Sequence, residues 1–339
     1  MATDTISILM PVRNAEATLA ETLQSLKAQT RRGFELVVVD DGSTDQTRRI
    51  LEECWTVSEE LVVLEPGEVG LVEALSKGLE ACRGEWIVRM DADDIATPNR
   101  LEAQWNMSRA RPDLAVISSR IRSWKSSPLE ELGEGYRVYD TWINRLVEHE
   151  DILRERFVES PIPHPSVMFH KEAILGVGGY EERGWPEDYD LWLRCAAAGL
   201  RFGKVDEVLL YWRDRDDRTS RTDKRYRQDR FLRCKSHHLA RGPLKGINEV
   251  VIWGAGPIGR KIGRGLDGEG IRVLAYIDID PAKIGNHRRG VPVVGADNLK
   301  DFGGRVLLSA VGARGARELI RSEAAQAGWV EGDNFWCVA

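Results

Sequence analysis

The sequence predicts an α/β protein with two domains, each built around a largely parallel sheet. Short, almost continuously apolar strands alternate with helical segments from Ile6 to an acidic turn at Asp91. Such strands are typical of parallel sheets that are covered on both faces. A second alternation begins at Glu249, after the dipeptide Gly242-Pro243. The predicted boundaries are 1–220 for the first domain, 221–245 for a basic helical linker and 246–339 for the second domain.

The composition excludes several classes of protein. The chain has 339 residues, 42% of them hydrophobic and 30% charged, as in soluble globular proteins. Its net charge of −6 gives no indication of nucleic-acid binding, so we expect no nucleic-acid partner. The five cysteines lack C-x-x-C spacing, which indicates reduced thiols in the cytoplasm and no zinc site. We find neither an apolar stretch of roughly 20 residues, as a membrane span requires, nor a signal peptide.

Apolar runs and helical spacing define the elements of the first domain. A strand is marked by a short apolar run, and a helix by apolar residues three or four positions apart. The predicted strands before the acidic turn are Ile6–Val12, Phe34–Val39, Leu61–Leu64 and Trp86–Met90. The predicted helices between them carry Leu19, Leu23 and Leu26, then Ile50 and Leu51, then Val72, Leu75 and Leu79.

Beyond the acidic turn the pattern is less regular, because residues 120–150 mix charged and aromatic side chains without clean periodicity. We predict a strand at Ala115–Ser118, an apolar strand soon after His164, and a strand at Glu207–Trp212. A helix that begins near Glu187 is predicted to end at Gly199.

The acidic turn itself is a candidate metal site. Asp91, Asp93 and Asp94 directly follow an apolar strand, where carboxylates without a counter-charge would repel one another and resist burial. Oxygen ligands favour a hard cation, Mg²⁺ or Mn²⁺, and most naturally one that is shared with a phosphate. The alternative is an ordinary acidic turn without a ligand.

Polar residues follow the ends of three predicted strands. Arg13, Asp41 and Asp91 each come after the carboxyl end of a strand, where parallel sheets bind ligands, so we expect them to converge on one crevice. Asp41 could accept a hydrogen bond from a nucleobase or a ribose hydroxyl. Residues 43–45, Ser-Thr-Asp, are expected to cap the following helix instead.

Three stretches together resemble a known family. ISILMPVRNAEATLAETLQSLKAQT, FELVVVDDGSTDQT and RMDADDIATPNRLEAQ resemble the successive signatures of family 2 glycosyltransferases, and the resemblance covers roughly Thr5–Leu210. It implies the GT-A fold and a nucleotide-sugar donor. The resemblance also implies roles by position. Pro11, Arg13 and Glu16 would border the nucleotide, and Asp41 would contact its base. Asp91 would lie near the ribose and the metal, and Asp93 would ligate the cation.

The chain departs from the family pattern in three places. Many relatives carry tyrosine or a similar residue where Arg13 stands, and some have an arginine near the diphosphate in the region of Leu75 and Ser76, for which Lys77 could substitute. Arg215 occupies the place of a histidine that can join the metal site. Arginine cannot ligate a metal, but it could pair with the diphosphate.

A second acidic motif lies in the segment Trp185–Trp192, WPEDYDLW. Glu187 and Asp188 stand at the start of a predicted helix, where acidic residues also simply complement the helix dipole. The motif resembles the E-D motif of the same family, which implies that Asp188 is the catalytic base and Glu187 its acidic partner. A histidine like His164 is typical of the family subgroup, in either a structural or a chemical role.

The segment between the two domains is strongly basic. A solvated helix face would explain it, and so would attraction to an anionic membrane surface that carries a lipid-linked acceptor. The protein would then be cytoplasmic with peripheral contact at the inner face of the membrane. The basic residues are Arg221, Lys224, Arg225, Arg227, Arg230, Arg233, Lys235, Arg241 and Lys245.

The second domain carries G-x-G-x-x-G in a strand–turn–helix setting, with Gly254, Gly256 and Gly259. Asp278 ends the next strand, near the position of a ribose-binding acid. The domain resembles the Rossmann-like nucleotide-binding domain that precedes some sugar acyltransferases. We expect a nucleotide or dinucleotide there, in a binding or assembly role; a structural relic and independent catalysis are the alternatives.

Together these motifs predict an inverting, metal-dependent glycosyltransferase. It would use Mg²⁺ or Mn²⁺ and move a sugar from a nucleotide-diphosphate donor to a saccharide or lipid-linked acceptor, in the synthesis of a surface polysaccharide or glycolipid. The alternatives are a non-catalytic sugar-nucleotide-binding scaffold of the same pathway and a nucleotidyltransferase. The donor sugar, the nucleobase, the acceptor and the oligomeric state are left open.

Overall fold

The computed structural model describes residues 5–55, 60–125, 132–216 and 218–339. The chain divides into two compact units, and neither is continuous in sequence. The first unit comprises Met1–Ile152, Pro161–Arg183 and Glu187–Arg218. The second unit comprises Leu153–Ser160, Gly184–Pro186 and Thr219–Ala339. Residues 221–245, the predicted linker, lie within the second unit.

The first unit is organised around an eight-stranded sheet with the order β3-β2-β1-β4-β7-β6-β8-β5. Its strands are β1 (Ile6–Val12), β2 (Phe34–Asp40), β3 (Glu60–Leu64), β4 (Trp86–Arg89), β5 (Ile95–Ala96), β6 (Leu114–Trp124), β7 (Met168–His170) and β8 (Arg201–Arg213). The helices of this part of the chain are α1 (Leu19–Lys27), α2 (Thr47–Cys54), α3 (Leu71–Ala81), α4 (Arg100–Ala110), α5 (Glu134–Asn144), α6 (His149–Glu155), α7 (Lys171–Gly176) and α8 (Glu187–Ala197).

The parallel half of this sheet brings the ends of three strands to one edge. β1 pairs in parallel with β2 and with β4, and β2 pairs in parallel with β3. Every residue of β1, β2 and β4 is buried, as their apolar sequences predict for a sheet that is covered on both faces. The loops after β1, β2 and β4 therefore leave the sheet side by side.

The other half of the sheet is mixed. β7 runs antiparallel to β4 and to β6, and the short β5 runs antiparallel to β8. β6 and β8 pair in parallel along most of their length, with irregular register. Both strands are longer than predicted, because central polar residues, such as partly exposed Arg120 in β6 and exposed Asp206 in β8, interrupt the apolar pattern without interrupting the pairing.

The second unit contains a six-stranded sheet with the order β11-β12-β10-β9-β13-β14. The strands are β9 (Glu249–Trp253), β10 (Arg272–Ile277), β11 (His287–Arg288), β12 (Val291–Val294), β13 (Val306–Ser309) and β14 (Phe335–Cys337), and the helices are α9 (Thr219–Thr222), α10 (Gln228–Arg241), α11 (Pro257–Gly268) and α12 (Ala316–Gln326). All pairs are parallel except β11 with β12. The parallel strands follow the doubly wound order of a Rossmann-like sheet.

Helix α10, in the segment predicted as a linker, packs closely within the second unit. Leu232 and Leu239 are buried, and a Cβ at Gly265 of α11 would overlap the Ser236 hydroxyl. Lys235 is also buried, so it does not contribute to an exposed basic surface. Among the residues that the structure describes, none of the helices is both long enough and apolar enough to span a membrane.

Candidate active site

The loops after β1 and β2 are tied together by polar contacts. The backbone N–H of Asn14 donates to Ser43 Oγ over 3.0 Å, and the side-chain Oδ1 of Asn14 accepts from the backbone N–H of Thr44 at 2.8 Å. The Glu16 N–H donates to Asp45 Oδ2, while Glu16 Oε2 accepts from the Gln46 N–H, both at 3.0 Å. Residues 43–45 thus connect two loops as well as leading into α2, which differs from the purely capping role that we expected.

Arg13 and Asp41 lie on either side of the turn before α3. Asp41 is buried, and its Oδ1 accepts from the Val69 N–H at 2.6 Å and from the Gly70 N–H at 2.8 Å. Arg13, whose side chain is half exposed, pairs with Glu68 at 2.7 Å. Pro11 is buried in β1 opposite Val39 of β2. One carboxylate oxygen of Asp41 is therefore committed to the backbone of this turn.

The acidic turn after β4 brings three carboxylates together. Asp91, Asp93 and Asp94 offer ligand atoms that lie within 4.8 Å of one another. Asp94 is fully buried, and its Oδ1 accepts from the Arg213 N–H at 2.8 Å. Its Oδ2 has no hydrogen-bond partner among the residues that the structure describes. Burial and the charge of Asp91 raise the pKa of Asp93 to about 6. A buried, unsatisfied oxygen among clustered carboxylates fits a hard divalent cation.

Arginines at the end of β8 surround this turn. Arg215 Nη1 lies 3.9 Å from Asp93 Oδ2, so Arg215 faces a predicted metal ligand from the position where the family pattern has a histidine. Arg213 Nε donates to the Asp93 carbonyl over 2.6 Å, and its guanidinium stacks 3.9 Å from the Trp124 ring centre. Arg218 is the third arginine whose charge favours the ionised form of Asp93.

Arg89, the last residue of β4, is a site residue that sequence reasoning missed. It is only 2% exposed, and its Nη2 lies 2.7 Å from Asp91 Oδ1. Among the described residues, its Nε and Nη1 have no hydrogen-bond partner. Burial lowers the pKa of the guanidinium, but Asp91, with smaller effects from Tyr180 and Glu187, raises it above its usual value. The signal in the sequence was a lone arginine within the apolar run WIVRM.

The second acidic motif stands at the first turn of α8. Glu187 is 1% exposed, and Asp188 is partly exposed. Burial by surrounding protein atoms and the adjacent Glu187 carboxylate raise the pKa of Asp188 to about 8. Asp188 Oδ1 accepts from the Tyr189 N–H at 2.7 Å. A carboxyl group with this pKa is a competent proton acceptor near neutral pH.

His164 lies beside this acid pair. Its Nε2 is 2.8 Å from the Tyr180 hydroxyl, and its Nδ1 is 3.8 Å from Glu187 Oε1. Burial, together with the positive charge of Arg89, holds the pKa of His164 well below its usual range, so the imidazole is neutral. His164 therefore lies between Tyr180 and Glu187. The Arg89 backbone N–H donates to the Val167 carbonyl over 3.0 Å, which brings the end of β4 against the turn that carries His164.

The glycine-rich turn of the second unit is closely packed. Gly254 has a φ of +119°, and a Cβ there would lie 3.0 Å from the Ala310 carbonyl oxygen. A Cβ at Gly259 would overlap the Gly254 carbonyl oxygen, whereas one at Gly256 would meet no atom of the described residues within 4 Å. Gly254 and Gly259 thus permit the tight strand–turn–helix connection that the motif predicts.

Asp278, at the end of β10, already has several partners. Its carboxylate accepts from the Ala255 and Asp280 N–H groups, each at 3.0 Å. Lys283 Nζ lies 3.3 Å from one oxygen and 3.2 Å from the other. These contacts account for about four lone pairs, the usual capacity of a carboxylate. A ribose hydroxyl could bind Asp278 only if Lys283 turned away.

Comparison with known sequences identifies the class of protein. The model of the family described as "Glycosyl transferase family 2" matches residues 7–175. The amylovoran biosynthesis glycosyltransferase AmsE of Erwinia amylovora is 30% identical, over 60% of this chain and 74% of that protein. A UDP-Gal:alpha-D-GlcNAc-diphosphoundecaprenol beta-1,3-galactosyltransferase of Escherichia coli is 29% identical, over 62% of this chain and 75% of that protein. The chain belongs to the family 2 glycosyltransferases.

Two solved structures share the fold. The 1–349 fragment of S. aureus TarS, in complex with UDP, has a TM-score of 0.55 at 17% identity and matches 77% of this chain and 70% of its own. A mannosyltransferase of Pyrobaculum calidifontis, in complex with GDP-Man and Mn²⁺, has a TM-score of 0.50 at 19% identity and matches 78% of this chain and 68% of its own. The predicted GT-A type of α/β fold is confirmed, as is the prediction that the protein is a glycosyltransferase.

Proposed function

We propose that this enzyme is an inverting, metal-dependent glycosyltransferase that moves a sugar from a nucleoside-diphosphate donor to a hydroxyl acceptor. The observation that carries the proposal is the arrangement around Arg89. This buried guanidinium pairs with Asp91 of the acidic turn, and the Arg89 backbone N–H donates to the Val167 carbonyl over 3.0 Å, at the end of the turn that carries His164. His164 Nδ1 in turn lies 3.8 Å from Glu187 Oε1, next to Asp188. These contacts support a single site that joins a donor-side carboxylate cluster to a candidate base.

The donor is proposed to bind along the edge formed by the ends of β1, β2 and β4. Pro11, Arg13, Glu16 and Asp41 border this edge, and the second oxygen of Asp41 is the proposed acceptor for a nucleobase N–H. Asp91 and Asp93 are the proposed ligands of a divalent cation, with Asp94 behind them. When bound, such a cation neutralises the charge that develops on the leaving diphosphate. The UDP, GDP-Man and Mn²⁺ found with the related folds support this class of donor and cofactor.

Asp188 is the proposed general base. It would take the proton of the acceptor hydroxyl as that oxygen bonds to the anomeric carbon and the bond from that carbon to the diphosphate oxygen breaks. The leaving group departs as the nucleoside diphosphate and carries the electron pair. A single displacement of this kind inverts the anomeric configuration. Glu187 and His164 are proposed to orient Asp188, since both lie in its buried surroundings.

The acceptor is proposed to be a saccharide, which a lipid diphosphate could carry, in the synthesis of a surface polysaccharide. The names of the two relatives support this class: one belongs to amylovoran biosynthesis, and the other acts on a sugar linked to diphosphoundecaprenol. Peripheral membrane contact through exposed basic residues of the second unit, such as Arg221 and Arg227, is proposed on the same ground.

The second unit is proposed to bind a nucleotide at the turn of Gly254, Gly256 and Gly259. The doubly wound sheet and the close approach at Gly259 support this. Binding at Asp278 requires Lys283 to move, so a Lys283→Ala variant should bind nucleotide more tightly than wild type. Calorimetry with UDP, NAD and ATP tests this, with Lys300→Ala as the control, and equal affinity in the two variants would count against the site.

The function is tested by donor hydrolysis and transfer. We expect one sugar nucleotide among UDP-, GDP- and dTDP-sugars to release its nucleoside diphosphate in the presence of Mn²⁺ or Mg²⁺, and Asp93→Ala to abolish the release. Asp188→Asn should fold and bind the donor but lower kcat of transfer by about 10²–10⁴-fold, the usual contribution of a general base. Donor binding without turnover in any assay that includes acceptors would instead favour the scaffold alternative.

A further inference from the structure

We propose that the second unit has a positioning function in catalysis: it anchors the two chain segments that lead into the acid pair and into His164. The inference rests on the proposed function of Asp188. It gives the second unit a role in the reaction that requires no ligand. Both anchored segments come from the middle of the chain, yet they pack with residues 219–339.

The first anchored segment, Gly184–Pro186, directly precedes Glu187 and Asp188. Trp185 is buried, and its ring centre lies 5.1 Å from that of His237 on α10. The guanidinium of Arg233, also on α10, lies 5.8 Å from the Trp185 ring. The only residue between this anchor and Glu187 is Pro186, whose ring fixes φ. Packing within the second unit therefore fixes the chain two residues before Glu187.

The second anchored segment, Leu153–Ser160, precedes the turn that carries His164. Glu155 is completely buried, 2.8 Å from Arg321 Nη2 and 3.5 Å from Arg317 Nη1 on α12. Buried Lys235 Nζ donates to the Val158 carbonyl over 2.6 Å and to the Val338 carbonyl over 3.2 Å. Buried charges that satisfy backbone and side-chain partners allow few alternative arrangements, because each alternative would leave a charge unpaired.

Catalysis is sensitive to such anchoring. A base must lie within hydrogen-bond reach of the proton that it removes, and a misplacement of about 1 Å can cost about 10²-fold in rate. Donor binding uses the loops after β1, β2 and β4, which belong wholly to the first unit. Loosening the anchors should therefore lower kcat and leave donor affinity unchanged.

The experiment compares Trp185→Ala and His237→Ala with Trp329→Ala in the full chain. Trp329 is a matched control, because it is also a buried tryptophan of the second unit, where its indole N–H donates to the Arg305 carbonyl over 2.9 Å. We expect both anchor variants to lower kcat about tenfold or more, with the donor KM within about twofold of wild type. Trp329→Ala should lower the Tm but keep kcat near that of wild type below the unfolding transition.

Hydrogen exchange provides a readout that does not depend on activity. Amides of the first turns of α8, residues 187–193, should exchange faster in Trp185→Ala than in wild type or Trp329→Ala. Unchanged exchange in this peptide, or a kcat that falls equally in the control, would overturn the proposal. If wild type transfers no sugar but the exchange difference is present, the anchoring stands and the proposed catalytic function is what fails.

Discussion

Asp188 and Asp93 both have raised pKa values, but their neighbours give the two carboxyl groups different uses. Asp93 has Arg213, Arg215 and Arg218 nearby, which favour its ionised form, and its pKa rises only to about 6. Asp188 has Glu187 beside it, and burial and this negative charge raise its pKa to about 8. Asp93, the proposed cation ligand, is therefore mostly ionised at neutral pH, whereas Asp188, the proposed base, is mostly protonated there and becomes available to accept a proton as the pH approaches 8.

The pH dependence of transfer should report this difference. Because the base must be ionised, kcat/KM of wild type should rise with pH and level off above about 8, the pKa of Asp188. Glu187→Gln removes the negative neighbour, so it should lower the pKa of Asp188 and move this limb to lower pH. Glu172→Gln, at an exposed acid in the first turn of α7, is the control and should leave the limb in place. A limb that moves upward in Glu187→Gln would contradict the assignment.

Arg215 should weaken cation binding, because its Nη1 lies 3.9 Å from Asp93 Oδ2. Arg215→His removes a fixed positive charge and offers a neutral imidazole ligand, so the Mn²⁺ concentration for half-maximal donor hydrolysis should fall about tenfold. Arg215→Lys keeps the charge and should resemble wild type. The same Mn²⁺ requirement in all three proteins would show that Arg215 does not influence the cation.

Strand β4 combines pairing within the sheet with a charged side chain that reaches the acidic turn. β4 pairs in parallel with β1 through Trp86, Ile87, Val88 and Arg89, all of them buried. The pairing requires only the backbone, which leaves the side chain of Arg89 available for Asp91. Arg100 of α4 in turn donates to the Arg89 carbonyl over 2.9 Å and to the Pro165 carbonyl over 2.7 Å. A helix thus links the end of β4 to the turn that carries His164.

The tight turn between β9 and α11 should be sensitive to a side chain at Gly259. Gly259→Ala would place a Cβ against the Gly254 carbonyl oxygen, and overpacking of this kind typically costs about 1–3 kcal/mol of stability. Gly256→Ala is the matched control, since no atom in the described part of the chain lies within 4 Å of a Cβ built there, and the φ of Gly256 is −75°. Thermal unfolding should show a clear decrease in Tm for the first variant only. Equal Tm values would mean that the turn relaxes without cost.

For the whole molecule, the important feature is that both units are discontinuous. The chain leaves the first unit after Ile152 and again after Arg183, and each time it returns within a few residues. The domain boundaries predicted from sequence, 1–220, 221–245 and 246–339, treat the chain as consecutive segments. Composition changes along a chain can locate linkers, but they cannot show that a short segment packs with residues far away in sequence.

A substitution at Arg321 tests how strongly the stability of the second unit depends on the segment Leu153–Ser160. Arg321→Ala removes the shortest ion pair of buried Glu155 and leaves it the longer contacts to Arg154 and Arg317, so the free energy of unfolding should fall by about 3 kcal/mol. The double variant Glu155→Met/Arg321→Met removes both charges and should recover most of the loss. Urea denaturation of all three proteins measures the effect. A double variant that is less stable than Arg321→Ala would contradict the account.

Much of the first unit could be predicted because its signals are local. β1 was predicted with its observed bounds and β2 and β4 to within a residue, since each is a short apolar run that ends in polar residues. Asp91 and Asp93 were singled out by their position after β4. The contact of Arg213 with Asp93 spans 120 positions, and no local pattern indicated it. The fold class and the family are confirmed, whereas the roles of the site residues stay predictions.

The amino-acid sequence alone was sufficient for the family, the order of the elements up to the acidic turn and the two acidic motifs, because spacing and composition within about ten residues encode each of them. Long-range packing was needed for the rest. It determined that Arg89 pairs with Asp91, that Lys283 pairs with Asp278, and that Trp185 packs against α10. In each of these arrangements, a charged side chain or a ring contacts one particular partner. Such contacts form only when the sheets and helices pack together, so no local sequence pattern encodes them.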